Sequence, residues 1–191
     1  MADIAINTWK TDLNDVQRFG ILSWQYGNVI SARLGQLEDA VNLNIRKFED
    51  CNKRFPVFWG PGWDFFPDHN WGGTAMMGLQ EMALQTYDDV IQPYACWPNS
   101  WDCNFKLHAP MNTVVEARME GGVPKYVKFS VGSTSVRKRI KLNVPGASKL
   151  LIVTDAGVVV PSEVQDDDMI SFGVQPGGVY YALSFTVHLK P

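Results

Sequence analysis

Asp68, His69 and Asn70 are the residues of this sequence best suited to chemistry, and they lie inside its densest run of rings. Seven large aromatics, Phe55, Phe58, Trp59, Trp63, Phe65, Phe66 and Trp71, fall within seventeen positions around Pro67-Asp68-His69-Asn70. Flat apolar faces beside carboxylate, amide and imidazole groups suit a sugar, whose C–H faces stack on rings while its hydroxyls need donors and acceptors. A carboxylate at Asp68 can also take a proton from an attacking water as a general base. Each of these residues has a second reading. Asp68 can cap and order the loop instead, Asn70 can satisfy loop backbone, and His69 can be a surface or packing residue. Trp59, Trp63 and Trp71 form either a stacking platform or buried rings that pin the loop. Asp64, four residues before Asp68, is a second carboxylate that only loop geometry could pair with it.

The elements that must position these residues lie on either side of a long loop, Arg54 to Gly73, well beyond the usual connection length. Three stretches before Tyr87 read as helices. Asp12 to Tyr26 carries Leu13, Val16, Phe19, Leu22 and Trp24 at helix-compatible spacing. Leu37 to Cys51 repeats Leu37, Val41, Ile45 and Phe48 at three and four residues, with Glu38 and Asp39 in its first turn, where the helix dipole favours them. Thr74 is placed to N-cap a helix over Ala75–Tyr87 with Met77, Leu79, Met82 and Leu84 on its apolar face, and Glu81 on that helix reads as structural.

All seven tryptophans precede Asp102, and the period changes there as well. From Asn104 the chain alternates short β-prone runs with turn residues: 105–108, 113–119, 126–131, 139–144, 150–154, 158–160, 169–174 and 179–189. Gly121-Gly122, Pro145-Gly146, Ala156-Gly157 and Pro176-Gly177-Gly178 fall between them, as tight turns require. The expected class is α+β. Residues 1–101 form a helical segment carrying the aromatic loop, and residues 102–191 an antiparallel β-sandwich.

Composition excludes several function classes. A net charge of −3 and a pI near 5.6 provide no basic field for nucleic acid. No run of 18 apolar residues spans a bilayer, and MADIAINTWK has neither the basic nor the apolar region of a signal peptide, so no membrane partner is expected. Cys51, Cys96 and Cys103 lack the spacing of a disulfide framework or zinc site. Cys96 and Cys103 either pair under oxidising conditions or stay as buried thiols. Asp166-Asp167-Asp168 reads as a solvated acidic turn rather than a calcium loop, and His108 and His188 have no metal spacing. No metal and no cofactor are expected.

The run Pro67-Asp68-His69-Asn70-Trp71-Gly72-Gly73-Thr74-Ala75, followed by Leu79-Gln80-Glu81-Met82-Ala83-Leu84-Gln85, resembles the carboxy-terminal part of glycoside hydrolase family 95, the inverting α-L-fucosidases and their bacterial relatives. Tyr94-Ala95-Cys96-Trp97-Pro98-Asn99-Ser100-Trp101 and Asp102 through Pro110 extend the likeness, which by motif covers roughly residues 50–130. The resemblance implies that the helices are the last part of an (α/α)₆ barrel with a β-domain behind it. It also implies that Asp68 is the base that activates water. The general acid and the amides that assist it belong to earlier helices, with no counterpart in these 191 residues. The resemblance thus implies a fragment, inactive alone, of a larger fucosidase-like enzyme whose compartment is open, periplasmic or secreted in the parent. Its partner is carbohydrate, met by Asp68, His69, Asn70, Trp71, Trp63, Asp64 and Trp59. A non-catalytic carbohydrate-binding or accessory module is the first alternative, and a structural β-domain that self-associates through exposed helical faces is the second.

Overall fold

The computed structural model describes residues 2–11, 25–48, 70–87, 90–133, 138–143, 149–165 and 169–184. The helix expected over Asp12–Tyr26, apart from Gln25 and Tyr26 at its end, lies outside them. So do residues 49–69, the Asp166–Asp168 turn and the end of the last expected strand. Backbone contacts divide the chain into two compact units, residues 1–83 with 95–97, and residues 84–94 with 98–191. The class is α+β, as composition and periodicity predict.

The first unit contains α1 (Ala2–Thr11), α2 (Gly27–Arg33), α3 (Leu37–Phe48) and α4 (Asn70–Ala83). Helices α2, α3 and α4 pack pairwise. On α1, Trp9 is buried and its indole N–H donates to Asp39 Oδ2 of α3 at 2.6 Å. Helix α3 exists where expected but is rotated relative to its apolar repeat. Its buried stripe is Ala40, Leu43, Asn44 and Lys47, at i, i+3, i+4 and i+7, while Leu37, Ile45 and Phe48 are exposed. The physical reason is that polar groups on the inner stripe find hydrogen-bond partners there, so burial no longer follows hydrophobicity.

Helix α4 differs from expectation at both ends. It begins at Asn70, so Gly72-Gly73 are helical, and Thr74 is an interior residue rather than the N-cap. At its other end Leu84–Tyr87 leaves the helix as strand β1 and pairs antiparallel with β2 (Val90–Pro93), Tyr87 opposite Val90. The β-branched and aromatic residues of this stretch, Thr86, Tyr87, Val90 and Ile91, favour a ladder over another helical turn. Met77, expected on the apolar face, is exposed together with Met76.

Among the described residues the second unit holds two five-stranded sheets. Strands β3 (Cys103–Ala109), β4 (Thr113–Glu120), β5 (Val123–Val131), β10 (Val179–Ser184) and β7 (Leu150–Thr154) form the first in the order β3-β4-β5-β10-β7, and every pairing in it is antiparallel. The other sheet, β1-β2-β6-β9-β8, uses β6 (Lys138–Asn143), β8 (Ser162–Val164) and β9 (Met169–Val174). It departs from an all-antiparallel arrangement at β2 and β6, which run parallel. A parallel neighbour requires a long crossover rather than a hairpin, and here β3, β4 and β5 intervene. Rings from the two sheets meet, Phe129 of β5 lying edge-on to Phe172 of β9 with centroids 5.6 Å apart.

Turn chemistry follows the sequence closely. Gly121 and Gly122 both have positive φ (57° and 73°) and join Glu120 to Val123 as a two-residue hairpin, the geometry that matches strand twist. The expected strand 158–160 shrinks to a single bridge, Val153 to Val159. No helix among the described residues is long and apolar enough to cross a membrane.

Candidate functional site

The candidate site begins at the first turn of α4. Asn70, its first residue, is exposed, and the Asn70 carbonyl accepts a hydrogen bond from Thr74 Oγ1 at 2.8 Å. Trp71 follows in the same turn. Of the other residues singled out for chemistry, Asp68, His69, Asp64, Trp63 and Trp59 lie outside the described residues.

Beneath this turn lies a polar interior that residue types did not announce. Lys47 of α3 is fully buried, and its ammonium donates to Thr74 Oγ1 at 2.9 Å. With the Thr74 hydroxyl donating in turn to the Asn70 carbonyl, a hydrogen-bonded relay runs from α3 to the first residue of α4. Burial lowers the Lys47 pKa to about 8, because an ammonium loses hydration in the interior. A buried amine with a lowered pKa is a recognised mark of a functional site, though ion-pair networks produce it too.

Asn28 of α2 extends the cluster. Its amide Nδ2 donates to Thr74 O at 2.8 Å and to Asn44 Oδ1 at 3.1 Å. Asn44 in turn donates to Ala40 O at 2.8 Å and to the Met82 sulfur at 3.1 Å. Both donors of Asn28 are therefore committed, and its buried Oδ1 accepts no hydrogen bond among the described residues. Room for these amides comes from Gly78. A Cβ there would sit 2.0 Å from Asn28 Nδ2 and 2.5 Å from Asn44 Oδ1.

Other residues that attract attention in the sequence have structural roles here. Glu81 pairs with Arg33 at 2.6 Å near the surface, a contact of the kind worth about 0–1 kcal/mol. Cys96 and Cys103 are free thiols, and burial pushes the Cys96 pKa up to about 11. His108 lies on β3 and is exposed. Among the described residues no three His, Cys, Asp or Glu side chains are grouped to hold a metal.

Lys47, Asn28 and Asn44 are the residues that sequence reasoning missed. The available signal was their spacing, since Ala40, Leu43, Asn44 and Lys47 repeat at three and four residues as surely as the apolar set. Only an exposed-lysine assumption hides it.

No protein-family model matches this chain, and no curated protein matches it. Among solved structures it is similar to a family 39 glycoside hydrolase from the gut symbiont Bacteroides cellulosilyticus WH2, at 13% identity and a TM-score of 0.34. That alignment covers 85% of this chain and 31% of the other, so the chain spans about a third of that protein's length.

Proposed function

We propose that this chain is the carboxy-terminal part of a glycoside hydrolase acting on α-linked sugars, fucosidase-like, with Asp68 as the base and no hydrolytic activity alone. In this reading the helices are the end of an (α/α)₆ barrel and the two sheets form a β-sandwich. The observation that carries it is the buried Lys47–Thr74–Asn70 relay. A charged interior group anchors the helix that opens directly after Pro67-Asp68-His69, on the sequence run that resembles family 95.

The chemistry follows from inversion. A base on one side of the sugar removes a proton from water while an acid on the other protonates the leaving oxygen, the two carboxyl groups lying about 6.5–9.5 Å apart. Asp68 supplies the first function, and the second comes from outside this chain. His69, Asn70 and Asp64 bind hydroxyls, and Trp59, Trp63 and Trp71 stack on the sugar. The Lys47 relay ties the first turn of α4 to α3.

Titration calorimetry of the whole chain against fucosylated, galactose and xylose oligosaccharides tests the reading. Binding is expected, lost in Trp63→Ala and Trp71→Ala with thermal melting unchanged, and no aryl glycoside should be cleaved. Absence of heat with every sugar overturns the carbohydrate reading, and cleavage by the isolated chain overturns its inactivity. Exposed Leu37, Ile45, Phe48, Met76 and Met77 support self-association through the helical faces. A monomeric mass in light scattering would refute that part.

A further inference from the structure

The outer face of the β3-β4-β5-β10-β7 sheet carries a group of side chains that the reading above does not use. Strand register sets Lys106, Glu116, Lys128 and Tyr181 in one row across β3, β4, β5 and β10. Arg118 and Tyr126 occupy the next row. This is the side away from the core, because the alternate residues Val115, Ala117, Val127, Phe129 and Tyr180 are the buried ones. Tyr126, Tyr181, Glu116 and Lys128 are all half-buried, so the group is a shallow, partly dry surface rather than a set of free side chains.

The polar centre is ordered. Glu116 Oε1 accepts from Lys128 Nζ at 2.9 Å and has Lys106 Nζ at 3.7 Å. The Glu116 hydrogen bond holds Lys128 above its ordinary pKa. Among the described residues neither phenol hydroxyl makes a hydrogen bond. The two residues are diagonal neighbours on paired strands, since Tyr181 faces Lys128 and Tyr126 lies two residues before it, positions about 7–8 Å apart along the backbone in sheet geometry.

We propose that this face binds a neutral glycan, with a pyranose ring against Tyr126 and Tyr181 and its hydroxyls on the Glu116–Lys128 pair. Charge decides the class of occupant. An anion that approaches Lys128 meets Glu116, and a cation that approaches Glu116 meets Lys128 and Lys106, while Arg118 is already paired with Glu120. An uncharged hydroxyl suffers neither conflict, because it donates to the carboxylate and accepts from the ammonium at once. The two rings supply the apolar faces that sugar C–H groups require. The assignment does not depend on Asp68. It adds a second carbohydrate contact, on the β unit.

An amide NMR titration of the full chain with xylose, galactose and fucosylated oligosaccharides tests it. At least one sugar should move the Tyr126, Lys128 and Tyr181 amides. Tyr181→Ala should weaken that response about tenfold, Tyr181→Phe should retain most of it, and Asp68→Asn should leave it unchanged. Glu116→Gln, at the protein surface, gives an independent variant with an expected loss of affinity and no change in melting. The proposal fails if none of the sugars moves these amides. It fails equally if folded Tyr181→Ala and Glu116→Gln bind as the parent does, or if only a proline-rich peptide or the chain itself at high concentration perturbs the face.

Discussion

Lys47 and Cys96 give the helical unit opposite responses to alkali. The folded Lys47 pKa of about 8 lies below its ordinary 10.5, so the unfolded chain holds more protons between those values and stability rises with pH there. The folded Cys96 pKa of about 11 lies above its ordinary 9, so between 9 and 11 the folded chain holds the extra proton and stability falls. The expected profile rises from pH 8 to 9 by up to about 1.4 kcal/mol per pH unit, levels as the two slopes cancel, and falls above 10.5. Denaturant titrations of the parent, Lys47→Met and Cys96→Ala check it. The first variant should lose the rise and the second should weaken the fall, to which Cys103 and Tyr94, also raised by burial, contribute as well. The Pro67–Trp71 run stands out in the sequence because rings, carboxylate and amide suggest their uses directly. Lys47 does not, since a lysine reads as solvent-exposed until a hydroxyl such as Thr74's is seen to meet it.

At the scale of elements, α3 and α4 show where periodicity informs and where it misleads. The existence of α3 was readable from three-and-four spacing, but not its rotation, because two interleaved sets of residues share that spacing and only contacts with α2 and α4 select the polar one. The start of α4 was obscured by Gly72-Gly73, which look like loop residues and cost about 0.5–1 kcal/mol each inside a helix. Strands were better announced, since Gly121-Gly122 and the alternation around it mark a hairpin locally. Two alanine substitutions in α4 should consequently have opposite signs. Nothing lies within 4 Å of a Cβ at Gly73, and Gly73→Ala should stabilise by about 0.5–1 kcal/mol. Gly78→Ala drives a methyl into Asn28 and Asn44 and should destabilise by about 2–4 kcal/mol. Chemical denaturation followed by helical circular dichroism reads both. Equal effects at the two glycines would refute the tight Asn28–Asn44 packing.

Across the whole molecule, topology separates what forms early from what forms late. Strands β3, β4 and β5 are joined by short hairpins, whereas β6 reaches its parallel partner β2 only after those three have intervened. Local pairings close small loops and form faster than distant ones. Pulse-labelled hydrogen exchange during refolding should therefore protect Val115, Ala117 and Val127 before Ile91 and Ile170. Simultaneous protection would show that both sheets condense together. That ordering was not readable from the strand pattern, which gives segments without their neighbours, and β1 was hidden because Leu84 continues the apolar spacing of α4. The same wiring governs how the gene can be divided. Residues 84–94 belong with the strands and 95–97 with the helices, so each unit is assembled from separated stretches of chain. A single cut before Asp102 would send β1 and β2 away with the helices and leave β6 as a bare edge, open to pairing with other copies. Expressing the β unit alone calls for a graft of residues 84–94 onto the later segment rather than a truncation.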